Sequence, residues 1–485
     1  MNPEFANFAS VFCFFCPSDY TSAPMESKKL YIASFGCQMN KLDTGLVENS
    51  FRRAGYELVD KEEMADVVLM NTCSVRDNAE RKVLSRLGYS KHLKKNGKQL
   101  VVGVIGCMAQ RLGDDLLKHE EIDLVCGPGQ IPELLGMVSK ALGGEKKQLN
   151  VAEKIRTKPA ETAASSLDDF ETAYDHEGAG GKSQAFVRVM RGCNNFCSYC
   201  IVPYVRGPEV SRKPSQIIEQ VRRLAGEGVR QITLLGQTVN SYRHTEEGRE
   251  YRLHDILEKV AQVDGIEWIK FVTNYPYIDY IDPLFEAMRD IDKVCPYLHI
   301  PAQSGSNDIL RAMNRNYTVE QYCELVERAR EYVPEMAVAS DFIVGFPGET
   351  DGDFRRTVEL VEKIRYKNIF AFKYSPRPGT KTEMRLEDSI PDAVKRERNI
   401  ELLAVQDAVS AVDNERFVGR TVRVFVEGLS KKPHLNDAGA SGNPQLIART
   451  ADDYIVVFNG PEKLSGNFVD VRIDKSASLT LFGSL

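Results

Sequence analysis

Short apolar runs alternate with amphipathic stretches in two successive series along this chain, and this alternation limits the folds open to it. The first series starts at Lys28, and its apolar runs cover residues 29–37, 65–73, 99–107 and 122–129. Buried strands that alternate with helices form parallel sheets with helices on both faces. We therefore predict an α/β fold whose N-terminal parallel α/β domain spans residues 28–145.

The second series starts at Phe186 and predicts an incomplete barrel. Its six candidate strands read AFVRVM, RQITLLG, EWIKFVTN, YLHIPA, AVASDFIVG and FAFKYS. Between them, SQIIEQVRRLAGEG places apolar side chains on one helix face, and Thr318 with Gln321 forms the capping-box pattern that starts another helix. Six strand-helix units are fewer than the eight of a closed barrel, so we predict a partial (βα)6 barrel over residues 185–415.

Three further segments differ from these series in composition. Residues 146–184 are polar, with few large apolar residues, and are predicted to form an extended linker. Residues 416–485 contain short strand-like runs between turns, which predicts a small antiparallel β-barrel, OB-like in size. Residues 1–27 are predicted to be an extension outside the fold, vector-derived or disordered.

Composition excludes several classes of protein. A net charge of −6 argues against a polycationic coat, so any nucleic-acid site must be a local basic patch. No apolar run approaches the roughly 18 residues that a membrane span needs. Eleven cysteines, an odd number spread over 485 residues, do not form the framework of a secreted disulfide protein. We predict a cytoplasmic protein whose clustered thiols bind metal or take part in catalysis.

The most compact thiol cluster is RGCNNFCSYC, in which Cys193, Cys197 and Cys200 follow the first barrel strand. A structural zinc site needs four ligands, and the nearest histidines, His176 and His244, lie well outside this motif. A [4Fe-4S] cluster held by three thiolates leaves one iron open to a small molecule. The motif is expected at the carboxyl-end face of the barrel, where barrel enzymes keep their active sites. Zinc is the alternative.

A second thiol set consists of Cys37, Cys73 and Cys107, each of which closes an apolar strand about one strand-plus-helix unit from the next. Because equivalent strand ends of a parallel sheet share one edge, we expect these thiols to converge and to hold a second cluster with an open iron. A buried core thiol is the alternative for each. The other cysteines from Lys28 onwards are predicted to be core residues or non-ligands: Cys126, Cys295 and Cys323.

The C-x₃-C-x-Φ-C spacing, with Tyr199 as the aromatic Φ, resembles the signature of the radical S-adenosylmethionine (SAM) superfamily. The resemblance implies that the amino and carboxylate groups of SAM chelate the open iron. One electron then cleaves SAM to a 5′-deoxyadenosyl radical, which breaks a C–H bond that a general base cannot attack. The cofactor supplies this chemistry, and the protein orients it.

Residues 28–485 as a whole resemble the radical-SAM methylthiotransferases, which end in a TRAM barrel. The strings SFGCQMN, NTCSVRDNAERKVLSRLG, GCMAQR, RGCNNFCSYCIVPYVRGPEVSR and LLGQTVNSY are similar to the tRNA-modifying MiaB type within that family. One segment, TNYPYIDYID, stands where the family commonly has a Ser-His-Pro type segment, so no role is carried over to that loop.

The resemblance implies methylthiolation of C2 of N6-isopentenyladenosine next to the anticodon in tRNA. It implies two [4Fe-4S] clusters, two SAM per turnover, and a cluster-bound sulfide that receives a methyl group at Cys37, Cys73 and Cys107. The expected partners of this monomer are the tRNA anticodon stem-loop, a flavodoxin- or ferredoxin-type electron donor and an iron-sulfur carrier, with no membrane. The alternatives are a methylthiotransferase acting on ribosomal protein S12 or threonylcarbamoyl-adenosine tRNA, and a non-catalytic metal-containing RNA-binding protein.

Candidate SAM contacts follow the barrel strands and the thiol motif. Gly236 and Gln237 end the second strand, where members of the family position the SAM amino group, although a strand-to-helix turn also favours glycine for backbone reasons. Ser304 and Asp341 end later strands, and Tyr199 lies within the thiol motif.

Arginines are the candidate RNA contacts. Arg206, Arg212 and Arg377 are expected at the barrel mouth, where a guanidinium could grip a phosphate bidentately. Arg420 and Arg423 are candidates on the terminal barrel, which could equally be a plain interaction module. A solvated charge or a salt bridge is the alternative for each arginine. The terminal barrel has further basic residues that could share that face: Lys431, Lys432 and Arg449.

Overall fold

The computed structural model describes residues 27–74, 77–153, 161–173, 183–277, 281–431 and 442–485. All but the last residue of the predicted N-terminal extension, residues 1–27, lies outside the described residues, as do His176, Lys432 and part of TNYPYIDYID. Within the described ranges, none of the helices combines the length and the apolar character that crossing a lipid bilayer requires.

The N-terminal domain is a six-stranded, fully parallel sheet. Its strands are β1 (Lys29–Phe35), β2 (Glu57–Leu58), β3 (Val67–Thr72), β4 (Val101–Gly106), β5 (Leu124–Cys126) and β6 (Gln148–Asn150). Its helices are α1 (Gln38–Arg53), α2 (Asp77–Lys95), α3 (Cys107–Leu112), α4 (Asp114–Leu117) and α5 (Leu134–Leu142). The strand order is β2-β1-β3-β4-β5-β6. Every residue of β3 and β4 is buried, because helices cover both faces of the sheet. The predicted parallel α/β domain is confirmed.

The central domain contains six parallel barrel strands and two small antiparallel pairs. Its strands are β7 (Gln184–Arg188), β8 (Met190–Arg191), β9 (Val210–Ser211), β10 (Gln231–Leu235), β11 (Arg243–Glu246), β12 (Arg249–Arg252), β13 (Trp268–Phe271), β14 (Tyr297–His299), β15 (Ala337–Val344) and β16 (Asn368–Lys373). The barrel strands form two sheets, β13-β10-β7 and β14-β15-β16, which a bridge between Ile269 and Val294 links. Strands β7 and β16 are the outer edges, so the barrel is open, as predicted.

Helices surround the barrel strands and bury one face each. They are α6 (Glu161–Thr172), α7 (Val202–Val205), α8 (Pro214–Gly226), α9 (Leu253–Ala261), α10 (Asp282–Asp290), α11 (Asn307–Ala312), α12 (Val319–Tyr332), α13 (Asp351–Ile364), α14 (Lys381–Arg385) and α15 (Asp392–Asn414). Helix α8 buries the predicted face, including Ile217 and Val221. Helix α12 begins with the predicted capping box, in which the backbone N–H of Thr318 donates to Gln321 Oε1 at 2.9 Å.

The interpretation of residues 146–184 as an extended linker is wrong in two places. Strand β6 adds to the edge of the N-terminal sheet, and α6 packs against the barrel. Helix α6 buries Leu167, Asp168 and Glu171. Sequence reasoning missed this helix because it has few apolar residues. Ion pairs with barrel arginines, and not a broad apolar face, hold it against the barrel.

The C-terminal domain is a closed five-stranded barrel with the order β17-β18-β19-β21-β20. Its strands are β17 (Thr421–Leu429), β18 (Gln445–Thr450), β19 (Ile455–Asn459), β20 (Phe468–Ser476) and β21 (Thr480–Ser484). The predicted small barrel is confirmed. Its pairs are antiparallel except β19 with β21, which are parallel, so the wholly antiparallel prediction was wrong for this pair.

The terminal barrel docks on the amino ends of the central barrel strands. Trp268, the first residue of β13, packs edge-on against Phe468 with ring centroids 4.7 Å apart. Asp453 accepts from Lys270 Nζ at 2.9 Å and pairs with Lys367 Nζ at 3.4 Å. Burial lowers the pKa of Lys367 to about 8, although Asp453 opposes this. Docking at the amino ends leaves the opposite, carboxyl-end face for a site.

Replacing Asp453 should weaken this docking. Asp453→Ala leaves Lys270 and Lys367 buried without their carboxylate, and losing one member of a buried pair costs about 3–5 kcal/mol. We expect a lower unfolding temperature by differential scanning calorimetry. Asp470→Ala, at an exposed position of the same barrel, should change stability by less than about 0.5 kcal/mol. Equal unfolding temperatures for the two variants would contradict the assigned role of Asp453.

Candidate functional site

Three cysteines follow three adjacent strands of the N-terminal sheet. Cys73 and Cys107 directly follow β3 and β4, and Cys37 follows β1 after one glycine. Strands β1, β3 and β4 are neighbours, so these thiols share one sheet edge. A hydrogen bond with the Cys73 thiol lowers the pKa of Cys37 to about 5; burial opposes this, and the Arg206 guanidinium adds to it. Burial raises the pKa of Cys107. We call this group the N-terminal thiol set.

Glycines before two of these cysteines allow the strand ends to approach each other. A Cβ atom at Gly36 would lie 2.6 Å from the Cβ of Cys73, closer than real Cβ atoms come to any neighbour. Gly106 has a φ of +92°, and its Cβ would lie 2.5 Å from Asn71 Oδ1. Both positions therefore require glycine.

Two buried asparagines fix the same edge, and sequence reasoning missed both. Asn40 Nδ2 donates to Asn71 Oδ1 at 3.0 Å, and Asn71 Nδ2 donates to Asn40 O at 2.9 Å and Thr44 Oγ1 at 3.0 Å. The Cys37 thiol donates to Asn40 Oδ1 at 3.3 Å. The start of α1 is thus bound to the end of β3. The available signal was an asparagine within three residues of each cysteine in CQMN and NTC.

The other three cysteines, Cys193, Cys197 and Cys200, lie on a loop between β8 and α7. The backbone N–H of Cys193 donates to Gly207 O at 3.1 Å, which closes the loop over residues 193–207. Ser198 fixes the loop to the barrel, because its hydroxyl donates to Ala312 O at 2.8 Å. Burial raises the pKa of Cys193 and of Cys200. We call this group the loop thiol set.

Neighbouring polar groups face the loop thiols. Cys193 Sγ lies 3.4 Å from Thr238 Oγ1, after β10. Arg315 Nη1 donates to Cys197 Sγ at 3.5 Å, and its guanidinium carbon lies 4.3 Å from the ring centroid of Tyr275.

Among the described residues, no three Cys, His, Asp or Glu side chains converge as closely as one metal ion requires. Thiolates of a [4Fe-4S] cluster bind different irons instead.

Arg206 connects the two thiol sets. It directly follows α7, which comes after the loop thiol set, and its Nε donates to Cys107 Sγ at 3.2 Å. Its Nη2 donates to Asp43 Oδ2 at 2.8 Å. Ile201, just before α7, and Val205, its last residue, pack against Cys107. The edge that carries the N-terminal thiol set therefore faces the barrel.

Two amide side chains at strand ends carry buried oxygen atoms that accept no hydrogen bond from the described residues. Gln237 Oε1 and Asn274 Oδ1, after β10 and β13, have no hydrogen-bond partner within the described part of the chain. A buried acceptor without a partner is costly, so it marks a place for a donor. Gly236 permits close packing, since its Cβ would lie 2.5 Å from Met190 Cγ. Tyr199 packs edge-on against Phe346, with centroids 6.4 Å apart. Gln237 was a predicted SAM contact, whereas Asn274 was not.

Two other predicted SAM contacts, Asp341 and Ser304, have side-chain partners within the barrel. Asp341 lies beside His299, with Oδ1 3.4 Å from His299 Nε2. Ser304 is buried against α13, where its Oγ lies 3.5 Å from Thr357 Oγ1 and accepts from Ser306 N–H at 3.2 Å. Ser304 thus packs against α13 through Thr357. Contact of Ser304 and of Asp341 with SAM stays a prediction.

Two of the arginines predicted at the barrel mouth are buried in ion pairs. Arg212 is 1% exposed, donates to Gln220 Oε1 at 2.9 Å and lies 3.7 Å from Glu171. The prediction that Arg212 contacts RNA is wrong, because no phosphate can reach a buried guanidinium. Arg206 is likewise engaged with Asp43 and Cys107.

The other candidate RNA contacts are at least partly exposed. Arg377 donates to Ser375 Oγ at 2.9 Å. Arg420 lies 3.9 Å from Glu335, and Arg423 pairs with Glu267 while stacking on Phe468. Contact of these three residues with RNA stays a prediction.

Three sequence families match separate parts of the chain. Residues 29–127 match the uncharacterized protein family UPF0004, residues 187–361 match the radical SAM superfamily, and residues 415–485 match the TRAM domain. The three matches coincide with the N-terminal sheet, the central barrel and the terminal barrel.

Relatives match nearly the whole chain. A tRNA-2-methylthio-N(6)-dimethylallyladenosine synthase of Rhodopirellula baltica is 45% identical over 94% of this chain and 95% of its own length. The chain belongs to this synthase family. Proteins of the same name from Bacteroides fragilis and Porphyromonas gingivalis are each 40% identical, over 96% and 95% of this chain and 98% and 95% of their own lengths. The resemblance to MiaB-type radical-SAM methylthiotransferases is thereby confirmed.

Solved structures of a radical S-adenosylmethionine methyltransferase resemble this chain in fold. The radical S-adenosylmethionine methyltransferase TsrM from Kitasatospora setae, with cobalamin and a [4Fe-4S] cluster bound, has a TM-score of 0.51 at 11% identity. That match covers 74% of this chain and 77% of TsrM. TsrM with tryptophan and a SAM analogue gives 0.50 at 13% identity, over 71% and 73% of the two chains. At this identity the likeness concerns the fold alone.

Asn71 should be essential for the stability of the thiol edge. Asn71→Ala removes two donated hydrogen bonds and leaves Asn40 Nδ2 buried without its acceptor, which costs about 1–3 kcal/mol. Denaturant unfolding should show this loss. Asn96→Ala, at an exposed helix end, is the matched control and should cost less than about 0.5 kcal/mol. Equal costs would refute the role of the asparagine pair.

Proposed function

We propose that this chain transfers a methylthio group to C2 of N6-isopentenyladenosine next to the anticodon of tRNA. Membership of the synthase family and the radical SAM match support the reaction class, and the TRAM domain supports RNA as substrate. One observation carries the proposal: the segment over residues 193–207, which bears one thiol set, touches the other set through Arg206. A sulfur donor and a radical source would then act in one place.

The donor sets fit two iron-sulfur clusters. Each set offers three thiols, and an arginine N–H donates to one sulfur of each, at 3.2 Å for Cys107 and 3.5 Å for Cys197. Each guanidinium thus places a positive charge beside a sulfur that would carry negative charge as a cluster ligand. When bound, two [4Fe-4S] clusters and two SAM per turnover supply one-electron cleavage of SAM and a cluster-bound sulfide for transfer.

The chain's own residues bind and orient the small molecules. Gln237 Oε1 and Asn274 Oδ1 are the buried acceptors that suit the ammonium group of SAM. The substrate base must reach the carboxyl-end face, so we expect the adenosine to be splayed out of the anticodon loop. Docking of the terminal barrel on the amino ends leaves that approach free.

We further propose a cytoplasmic monomer that receives electrons from a flavodoxin- or ferredoxin-type donor and its clusters from an iron-sulfur carrier. Nucleoside analysis of tRNA from a strain with and without the gene tests the substrate. We expect the 2-methylthio-N6-isopentenyl nucleoside to disappear. Loss of a modified threonylcarbamoyl nucleoside, or of a modification on ribosomal protein S12, would support the alternative substrates instead.

Cysteine variants should separate the two thiol sets. Cys37→Ala, Cys73→Ala or Cys107→Ala should retain 5′-deoxyadenosine formation but abolish methylthiolation, because only the sulfur donor is lost. Cys193→Ala, Cys197→Ala or Cys200→Ala should abolish 5′-deoxyadenosine formation as well. Chromatography of anaerobic reactions measures both products.

The wild-type chain should bind about eight irons, four per [4Fe-4S] cluster. Cys126→Ala is the matched control, since Cys126 ends the neighbouring strand β5, and its iron and sulfide content should be unchanged. Zinc without sulfide in the anaerobically purified protein would favour a non-catalytic RNA-binding protein. Normal methylthiolation by Cys73→Ala would refute the role of the N-terminal thiol set.

Gln237 should contribute to SAM affinity. Gln237→Leu keeps the volume but removes the acceptor, and a hydrogen bond to a charged group contributes about 1.5–3 kcal/mol, so the Kd should rise about tenfold or more. Gln231→Leu is the matched control, because Gln231 Oε1 is also buried without a partner among the described residues but lies at the opposite end of β10. Equilibrium dialysis measures both affinities, and an equal change in both would refute the assignment.

A further inference from the structure

Arg206 contacts a thiol that belongs to the other domain. Its side chain is 5% exposed, and its Nε donates to Cys107 Sγ at 3.2 Å. We propose that Arg206 is a positioning residue that raises the reduction potential of the cluster held by Cys37, Cys73 and Cys107. This inference rests on the proposed function, in which that thiol set holds a cluster.

A buried carboxylate fixes the direction of this hydrogen bond. Asp43 is fully buried, and its Oδ2 accepts from Arg206 Nη2 at 2.8 Å. Its Oδ1 accepts from Arg188 Nη2, also at 2.8 Å. Because Asp43 holds the outer nitrogen of Arg206, the Nε–H is directed at Cys107. Two charged contacts on one planar guanidinium allow little rotation.

The rest of the network balances the charges. Arg188 also pairs with Glu171 at 2.9 Å, so two arginines, Arg188 and Arg206, face two carboxylates, Asp43 and Glu171. Arg206 stays protonated at any ordinary pH. The donor at Cys107 is therefore permanent, and no titration is needed for its effect.

The expected effect follows from the charge of the cluster. Reduction adds an electron whose density extends onto the ligand sulfurs, so an N–H donor stabilises the reduced state more than the oxidised one. Hydrogen bonds to the sulfurs and the net charge nearby are known levers on cluster potential. The effect is larger in a buried site, where water does not screen it. Arg206 thus makes this cluster easier to reduce.

The test measures the potential of this cluster alone. The full-length chain with Cys193, Cys197 and Cys200 all replaced by Ala retains only the N-terminal thiol set. Redox titration monitored by electron paramagnetic resonance then compares Arg206 with Arg206→Met, Arg206→Gln and Arg206→Lys. Arg328→Met is the matched control, because Arg328 pairs with Asp282 on the outside of the barrel.

We expect Arg206→Met and Arg206→Gln to lower the midpoint potential of the cluster. At the wild-type midpoint potential, the ratio of reduced to oxidised cluster should fall at least tenfold, which corresponds to about 59 mV for one electron. Arg206→Lys should recover much of this shift because it keeps the charge, and Arg328→Met should show none. A wild-type midpoint in Arg206→Gln, with iron and sulfide content intact, would overturn the inference. If Arg206→Met does not assemble the cluster, the midpoint potentials of Arg206→Gln and Arg206→Lys test the inference instead.

Failure of the proposed function gives a different result. If the chain with only the N-terminal thiol set binds no iron and sulfide while Arg206 is intact, the thiols hold no cluster and the proposed function itself fails. If that chain binds about four irons and all variants share one midpoint, the function stands and only the role of Arg206 is overturned.

Discussion

A buried carboxylate between two arginines holds the two halves of the site together. Asp43, on the first helix of the N-terminal domain, binds Arg188 on the first barrel strand and Arg206 directly after α7. An ion pair on the surface contributes at most about 1 kcal/mol to stability. Removing one partner of a buried ion pair leaves an uncompensated charge in the interior and costs about 3–5 kcal/mol. The relative position of the two thiol sets is therefore specified by charge, and apolar packing of Met39, Leu42 and Leu46 against the barrel core adds to it.

The same network explains why the segment between the two domains is structured. Helix α6 contributes Asp168 and Glu171 to arginines of the barrel, at 2.7 Å for Arg191 and 2.9 Å for Arg188. The segment that joins the domains thus also supplies counter-charges at their interface. Arg212 is also buried and lies 3.7 Å from Glu171, so loss of the Glu171 carboxylate would leave a buried guanidinium with less counter-charge.

The sequence predicted the elements whose signal is local or periodic. Strand-helix alternation identified the sheet, the barrel and the terminal domain, and the rule that parallel strand ends share an edge brought Cys37, Cys73 and Cys107 together. It did not predict α6 or the roles of Arg206 and Arg212, because these depend on charge partners far away in sequence. An arginine in a polar string looks the same whether it meets solvent, RNA phosphate or a buried carboxylate.

The two thiol sets share a ligand count but differ in electrostatic surroundings. Arg315, beside Cys197, donates to Tyr317 Oη and Pro301 O and lies against the tyrosine rings, which are neutral groups. Arg206, beside Cys107, shares its charge with Asp43. The guanidinium beside the loop thiol set therefore has neutral neighbours, whereas a carboxylate partly neutralises the guanidinium beside the N-terminal thiol set. Because net charge near the sulfurs is a lever on cluster potential, two sites with identical ligands need not have identical redox properties.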